Sequence, residues 1–436
     1  MHHRSNARLL ALLAAGTLAP AASAQCPPAE LFGPATPYAT GSLPLGIAVG
    51  DVSGDGIPDI VTANFFENTI TILRGNGDGT FQAGADVIMV PKGSKDIVGP
   101  VQPAVGDLNG DGANDIVIGV NNQIGILLND GKGHFTGPPN YVGFGAMVRG
   151  VVIANFTADK VPDVAFSSRD DGTLNILVGN GDGTFQDQHP LVLGGGPVGA
   201  VVRDFNNDGN LDVATPLVFD GQVLIAYGDG NGYLNEGPRY PVGSPEWLEG
   251  GDVNNDGITD LATAFLNGDA VQVLIGNPDG SFQDAVTVGT GAGSLPITVN
   301  LADVNGDGFD DVLAAAFIAN QVAVRLSNGD GTFQDAVPFP VGPRPRRFAI
   351  ADLNNDGALD IAAANGATDG SATVVLGRCI PSPGCAADWN TDGTLNSQDF
   401  FDFLVDFFAG AADYNHDLTT NSQDFFDFVT SFFVGC

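Results

Sequence analysis

The sequence predicts an all-β seven-bladed propeller followed by a small all-α domain, and three observations predict it. A nine-residue pattern, D-x-[NS]-x-D-G-x-x-D, recurs in register along most of the chain. Each period carries the same succession of short apolar runs and turn signals, as four-stranded blades require. After Arg378 the pattern stops, and two 12-residue Asp/Asn loops appear, each running into an aromatic stripe of helical period.

The pattern begins at Asp51, Asp107, Asp204, Asp252, Asp303 and Asp352, with a worn copy at Asn155; successive starts lie 56, 48, 49, 48, 51 and 49 residues apart. Within a period one apolar run enters the loop (Ile47-Ala48-Val49), a second leaves it (Asp59 to Asn64) and a third alternates (Thr69 to Leu73). A Gly-Asp-Gly turn ending in Phe then precedes a fourth short strand. The turn aspartates are read as ordinary β-turn residues, and the recurrent Phe81, Phe135, Phe185, Phe282 and Phe333 as core between blades. The last period stops at Val375-Leu376-Gly377, one strand short, while Leu31-Phe32 and Pro37 to Gly41 resemble the missing piece. The N-terminal segment is therefore expected to complete the final blade and protect its edge.

The chain has 436 residues, 51 acidic against 16 basic, and a net charge of −35, which argues against nucleic acid as a partner. A hydrophobic content of 43% argues equally against disorder, so the acid belongs on a folded surface or around cations. Calcium fits the loop: carboxylate, amide or hydroxyl oxygens at positions 1, 3, 5 and 9 and the carbonyl of position 7 form a hard donor set, and Gly at position 6 permits the turn. The candidate ligands are Asp51, Ser53, Asp55, Ile57 and Asp59; Asp107, Asn109, Asp111, Ala113 and Asp115; and Asp204, Asn206, Asp208, Asn210 and Asp212. The other three copies supply Asp252, Asn254, Asp256, Ile258 and Asp260; Asp303, Asn305, Asp307, Phe309 and Asp311; and Asp352, Asn354, Asp356, Ala358 and Asp360. The worn copy, with Lys160 in the Gly position, is expected to hold no metal.

Residues 1–24 read as a secretory signal, with basic residues, the apolar run Leu9 to Leu18, and Ala22-Ser23-Ala24 as the cleavage site. No later apolar run is long enough to cross a membrane as a helix, so an extracellular or cell-surface location is expected. Export permits disulfides. Cys26, Cys379, Cys385 and Cys436 allow three connectivities, of which Cys26–Cys379 and Cys385–Cys436 would each tie the ends of one domain.

The domains read as 25–378 for the propeller, 379–387 for a Pro/Gly linker and 388–436 for the C-terminal module. The two 12-residue loops have EF-hand spacing, with Asp388, Asn390, Asp392, Thr394, Asn396 and Asp399 as ligands in the first and Asp413, Asn415, Asp417, Thr419, Asn421 and Asp424 in the second. Leu418 stands where the second loop would carry Gly. With the six propeller loops this makes about eight calcium sites.

These residues resemble the FG-GAP or VCBS repeats of secreted bacterial proteins and the calcium-loop blades of integrin α-chains, over roughly residues 30 to 378. The resemblance implies a rigid platform for glycan or protein partners, with a minority of members acting as polysaccharide-degrading enzymes. Residues 385 to 436 resemble a dockerin. In that family loop positions 10 and 11 face a cohesin, which here implies Ser397-Gln398 and Ser422-Gln423, although both serines could simply cap their helices.

An active site is not apparent, since only His134, His189 and His416 follow the signal and no G-x-S-x-G, H-E-x-x-H or C-x-x-C pattern occurs. The expected function is a non-catalytic binding or adhesion scaffold attached to an assembly or the cell envelope. The alternative is a polysaccharide lyase or glycoside hydrolase delivered by the C-terminal module. Contacts are sought in segments read as loops: Val90 to Val98 with Lys92 and Lys95, Glu236 to Glu249 with Arg239, Tyr240 and Trp247, and Arg344, Arg346 and Arg347.

Overall fold

Seven four-stranded antiparallel sheets form the blades of a ring. The computed structural model describes residues 26–88, 99–120, 122–135, 139–157, 159–368 and 370–379, together with 400, 403, 404, 407, 425 and 428. Cys26–Ile380 make one compact unit. Residues 1–24, read above as a secretory signal, together with Lys92 and Lys95, Cys385 and Cys436, both C-terminal loops, and Ser397, Gln398, Ser422 and Gln423 lie outside the described residues.

In the first blade, strands Pro44–Gly50, Asp59–Asn64, Thr69–Leu73 and Ala85–Ile88 pair in chain order. The second strand is buried at every residue, as are its equivalents Asp115–Val120, Asp163–Ser168, Asp212–Leu217, Asp311–Ala316 and Asp360–Asn365. Burial on both faces explains why these strands read as nearly continuous apolar runs rather than alternating ones. Seven hydrophobic clusters result, each shared by two adjacent blades; one joins Val61 and Ile70 to Ile116 and Ile118, and another joins Ile60 and Leu73 to Ala362 and Val374. Phe81 and Phe282 lie within such clusters, while Phe135, Phe185 and Phe333 pack against them, as expected.

The closing blade is completed from the N-terminus. Strand Phe32–Ala39 pairs antiparallel with Ser371–Gly377, which continues through Asp360–Asn365 to Pro345–Ala351. Cys26 and Cys379 are disulfide-bonded, and the Arg378 N–H donates to Leu31 O at 2.9 Å. Both the strand exchange and this pairing agree with the sequence reading.

The first strand of each blade touches the first strand of both neighbours, and the last returns to the first. These seven strands, Pro44–Gly50, Gln102–Gly106, Val148–Ala154, Val201–Arg203, Pro245–Gly251, Pro296–Ala302 and Pro345–Ala351, surround the central channel. In the C-terminal segment the described residues have helical backbone, and the buried rings of Phe403 and Phe428 stack with centroids 3.8 Å apart. Among the described residues no helix is long and apolar enough to cross a membrane.

Candidate functional site

Each Asp loop joins the first strand of a blade to the second, which places all seven loops on one face of the ring. Position 1 closes the turn: Asp51 Oδ1 accepts from Gly54 N at 2.7 Å and Oδ2 from Gly56 N at 2.8 Å, and Asp107 and Asp303 repeat this with Gly110 and Gly112, and with Gly306 and Gly308. The glycines at position 6 adopt φ of +82° at Gly56 and +85° at Gly112, a conformation that disfavours any side chain. Position 5 accepts from the N–H of position 7, as Asp256 does from Ile258 at 2.8 Å and Asp356 from Ala358 at 2.8 Å. Position 3 bridges to position 5: Asn109, Asn206, Asn254, Asn305 and Asn354 each donate Nδ2–H to the following Asp at 2.8–3.0 Å. In the first loop Ser53 instead donates to Asp51 at 3.3 Å. Positions 1, 3 and 5 thus draw their oxygens into one small region.

Position 9 behaves differently. Asp59 is fully buried; its Oδ2 accepts from Val52 N at 3.0 Å and its Oδ1 from Gly75 N at 2.9 Å. The same pair of bonds ties Asp115 to Leu108 and Asn129, Asp212 to Phe205 and Gly228, Asp260 to Val253 and Gly276, Asp311 to Val304 and Ser327, and Asp360 to Leu353 and Gly377. The worn loop keeps it, with Asp163 accepting from Phe156 and Gly179, both at 2.8 Å. The ninth carboxylate is therefore a pin between the Asp loop and the turn that follows the third strand, whatever else it does. That role left no separate mark in the sequence, because a ligand and a pin both demand Asp at the same spacing.

Burial raises the proton affinity of these pins: Asp260 and Asp360 are pushed up to about 6 and Asp311 to about 8, with the position 1 and 5 carboxylates of the same loop adding to the shift. Among the described residues no three carboxylate, imidazole or thiol side chains gather as a metal-holding group. Each of the six intact loops instead offers a half-buried carboxylate at position 1, a second carboxylate at position 5, an amide or hydroxyl and a peptide carbonyl, an all-oxygen set suited to a hard cation such as Ca²⁺. The mutual repulsion of its carboxylates is what a bound cation would relieve.

The turn aspartates are satisfied locally: Asp78, Asp182 and Asp330 accept from the N–H of Thr80, Thr184 and Thr332 at 2.9–3.0 Å. His134 pairs with Asp130 at 3.1 Å on an exposed turn, and His189 stacks on Tyr233 with centroids 3.9 Å apart.

The segments read as loops are mostly not loops. Arg346 and Arg347 lie on the first strand Pro345–Ala351, and Glu246, Trp247 and Glu249 on Pro245–Gly251, so all of them belong to the channel wall. Arg239 lies on the outer strand Leu234–Pro241, paired with Glu236 and Asp220, and Tyr240 packs edge-on against Phe282. A cavity of about 410 Å³ is lined by Gln102, Arg203, Trp247, Glu249, Asn300 and Arg347 among others, and a second of about 250 Å³ by Leu45, Arg149, Glu246, Ile297, Arg346 and Arg347. The Arg347 guanidinium lies 3.3 Å from the Trp247 ring centroid. Burial depresses the Arg347 pKa, with Arg149 adding to the effect and the two glutamates opposing it; burial likewise pushes Glu249 up to about 7.

The channel mouth opposite the Asp loops carries a repeated device. Leu43, Met147, Leu295 and Arg344 sit at φ between +48° and +61°, which turns their carbonyls to accept from Phe65, Arg169, Phe317 and Gly366 on the hairpin between the second and third strands. The same face exposes Phe66, Phe144, Phe219 and Ile318.

Fold and site together define a seven-bladed propeller built from Asp-loop repeats. The FG-GAP-like repeat family matches residues 51–118, 107–166, 155–215, 252–314 and 303–363, more than half of the chain, and the chain belongs to that family. A comparison with curated proteins returns no match. Among solved structures, BBS1N in complex with ARL6DN is similar at TM-score 0.56 and 13% identity, covering 81% of this chain and 98% of that one. Virginiamycin B lyase from Staphylococcus aureus gives 0.52 and 13%, with 79% and 99% covered, and the Pseudomonas aeruginosa periplasmic gluconolactonase PpgL gives 0.52 and 14%, with 69% and 86% covered. At these identities the likeness shows the fold alone.

Proposed function

We propose that the protein is a secreted, non-catalytic binding scaffold: a calcium-stabilised propeller that presents one face and its channel to a glycan or protein, and is attached to an assembly or the cell envelope by a dockerin-like module. The observation that carries this reading is the repetition of one oxygen set in six loops on a single face of the ring. In each of the six loops, positions 1, 3, 5 and 9 and the position 7 carbonyl would hold Ca²⁺, with the position 9 carboxylate serving as ligand as well as pin, cross-linking the turn and neutralising its carboxylates. The opposite face, with Phe66, Phe144, Phe219 and Ile318 exposed around the channel mouth, is where a partner would dock. The C-terminal loops would add two further calcium sites, and Ser397-Gln398 with Ser422-Gln423 would face a cohesin-like partner. The test is calorimetry of the full chain in calcium and in chelator, alongside incubation with acidic and neutral polysaccharides. Calcium should raise the thermal midpoint by several degrees, and no reducing ends or unsaturated products should form. An unchanged midpoint would sink the metal assignment, and robust turnover would sink the non-catalytic one.

A further inference from the structure

We propose that the central channel binds a compact saccharide carrying an oxyanion, a sugar acid or a sugar phosphate, with Arg347 at its centre and Arg149, Arg203 and Arg346 around it. This deepens the binding-scaffold reading and rests on it, but is independent of calcium in the loops.

The first argument is charge segregation. In a chain with 51 acidic and 16 basic residues, four arginines line the two cavities that share Arg347, facing two carboxylates, Glu246 and Glu249. Among the described residues none of the four arginines forms an ion pair. A low-dielectric channel concentrates their positive potential where an acidic surface would otherwise repel an anion.

The second argument is unmet hydrogen bonding. Two buried donors, Arg347 Nη1 and Arg346 Nε, have no hydrogen-bond partner, and neither does a buried acceptor, Gln102 Oε1, which a hydroxyl rather than an anion would satisfy. Buried polar groups in folded proteins are nearly always satisfied, and each exception calls for an explanation. Water can fill the two donor sites, but an anion fills them and also balances the positive charge that Glu246 and Glu249 leave over from four arginines.

Third, the arrangement is built rather than incidental. The positions equivalent to Trp247 and Arg347 in the other five blades hold Gly46, Gly150 and Gly199, with Gln102 and Thr298 at the remaining two. At Gly199 a Cβ would stand 2.8 Å from the Trp247 ring, so the glycine makes room for that ring, and Arg347 stacks on it. A guanidinium fixed this way keeps its planar fork pre-organised.

The ligand class follows from size and remaining chemistry. A cavity of about 410 Å³ accommodates a small molecule. Thr298 offers a hydroxyl, and Asn300 and Gln102, whose amide nitrogens donate to Phe348 O and Pro103 O, offer their amide oxygens to sugar hydroxyls, while Ile47 and Ile350 supply apolar walls.

The test is isothermal titration of the calcium-loaded full chain with glucuronate, glucose 6-phosphate, inorganic phosphate and glucose. At least one charged sugar should bind, glucose should not, and inorganic phosphate should bind more weakly than that sugar. Arg347→Gln and Arg149→Gln should each weaken binding by about tenfold or more, with the calcium-dependent rise in thermal midpoint retained. If Arg347→Gln does not fold, Arg149→Gln and Arg346→Gln serve as the variants. No binding of either charged sugar would overturn the proposal, as would equal binding of glucose, phosphate binding as tight as the sugar's, or wild-type affinity in every folded variant. Failure here with calcium stabilisation intact would leave the scaffold reading standing.

Discussion

Asp163→Asn isolates the pin from the metal, because the Asp163 loop carries Lys160 in place of glycine. Its carboxylate accepts from Phe156 N and Gly179 N, both at 2.8 Å, and is fully buried. Asparagine preserves the shape but keeps one acceptor, and turns an NH₂ group toward a backbone donor. The loss is one charge-assisted hydrogen bond, about 1.5–3 kcal/mol, plus a buried unsatisfied donor at about 1–3 kcal/mol. A destabilisation of about 2.5–6 kcal/mol follows. At roughly 2.1 cal/mol/K per residue, a ring of this size has an unfolding entropy near 0.7 kcal/mol/K, so the midpoint should fall by about 4–9 °C. Differential scanning calorimetry at pH 8, in calcium and again in chelator, should give the same fall in both. A shift below about 1 °C, or one that disappears on chelation, would refute the pin as a metal-independent device.

Other consequences follow from the same geometry. Replacing Asp252 by Ala should abolish one calcium equivalent in titration and shrink the calcium-dependent stabilisation, whereas Asn155→Ala in the worn loop should change neither. Reducing the disulfide, whose cysteines are 353 residues apart, should destabilise the ring by up to about 5 kcal/mol, read as a lower urea midpoint. Glu249 bears on pH: its folded pKa is raised from 4.5 to about 7, so between those values the folded form holds a proton that the unfolded chain has released. Stability contributed at this site therefore falls as pH rises from 4.5 to 7 and is flat above. Glu249→Gln should accordingly gain on the wild type in urea denaturation as pH is raised from 5 to 7.5, and a constant difference would contradict the assignment.

The ring itself was legible because a propeller repeats: seven Asp loops in register gave the blades, and the missing fourth strand after Gly377 gave the closure through Phe32–Ala39. Cys26 with Cys379 followed from the same reasoning. The channel was not legible. Its charged residues come one or two at a time from blades about fifty residues apart, and only closure of the ring brings Arg149, Glu246 and Arg347 together. Pro245 and Pro345 open strands, a position proline tolerates, so the neighbouring segments read as loops are strands of the channel wall. The pin escaped notice for a different reason, since its periodicity was already claimed by the metal reading.

Completion of the last blade by the first strand sets the order of assembly during synthesis. Phe32–Ala39 leaves the ribosome first and finds its partner Ser371–Gly377 only when nearly the whole ring has been made. Until then the nascent array is an open arc with two bare edges, and no intermediate length of chain can close it. A truncation inside the final blade is thus expected to act on the whole molecule at once, as a failure of biogenesis rather than the loss of a seventh of the structure.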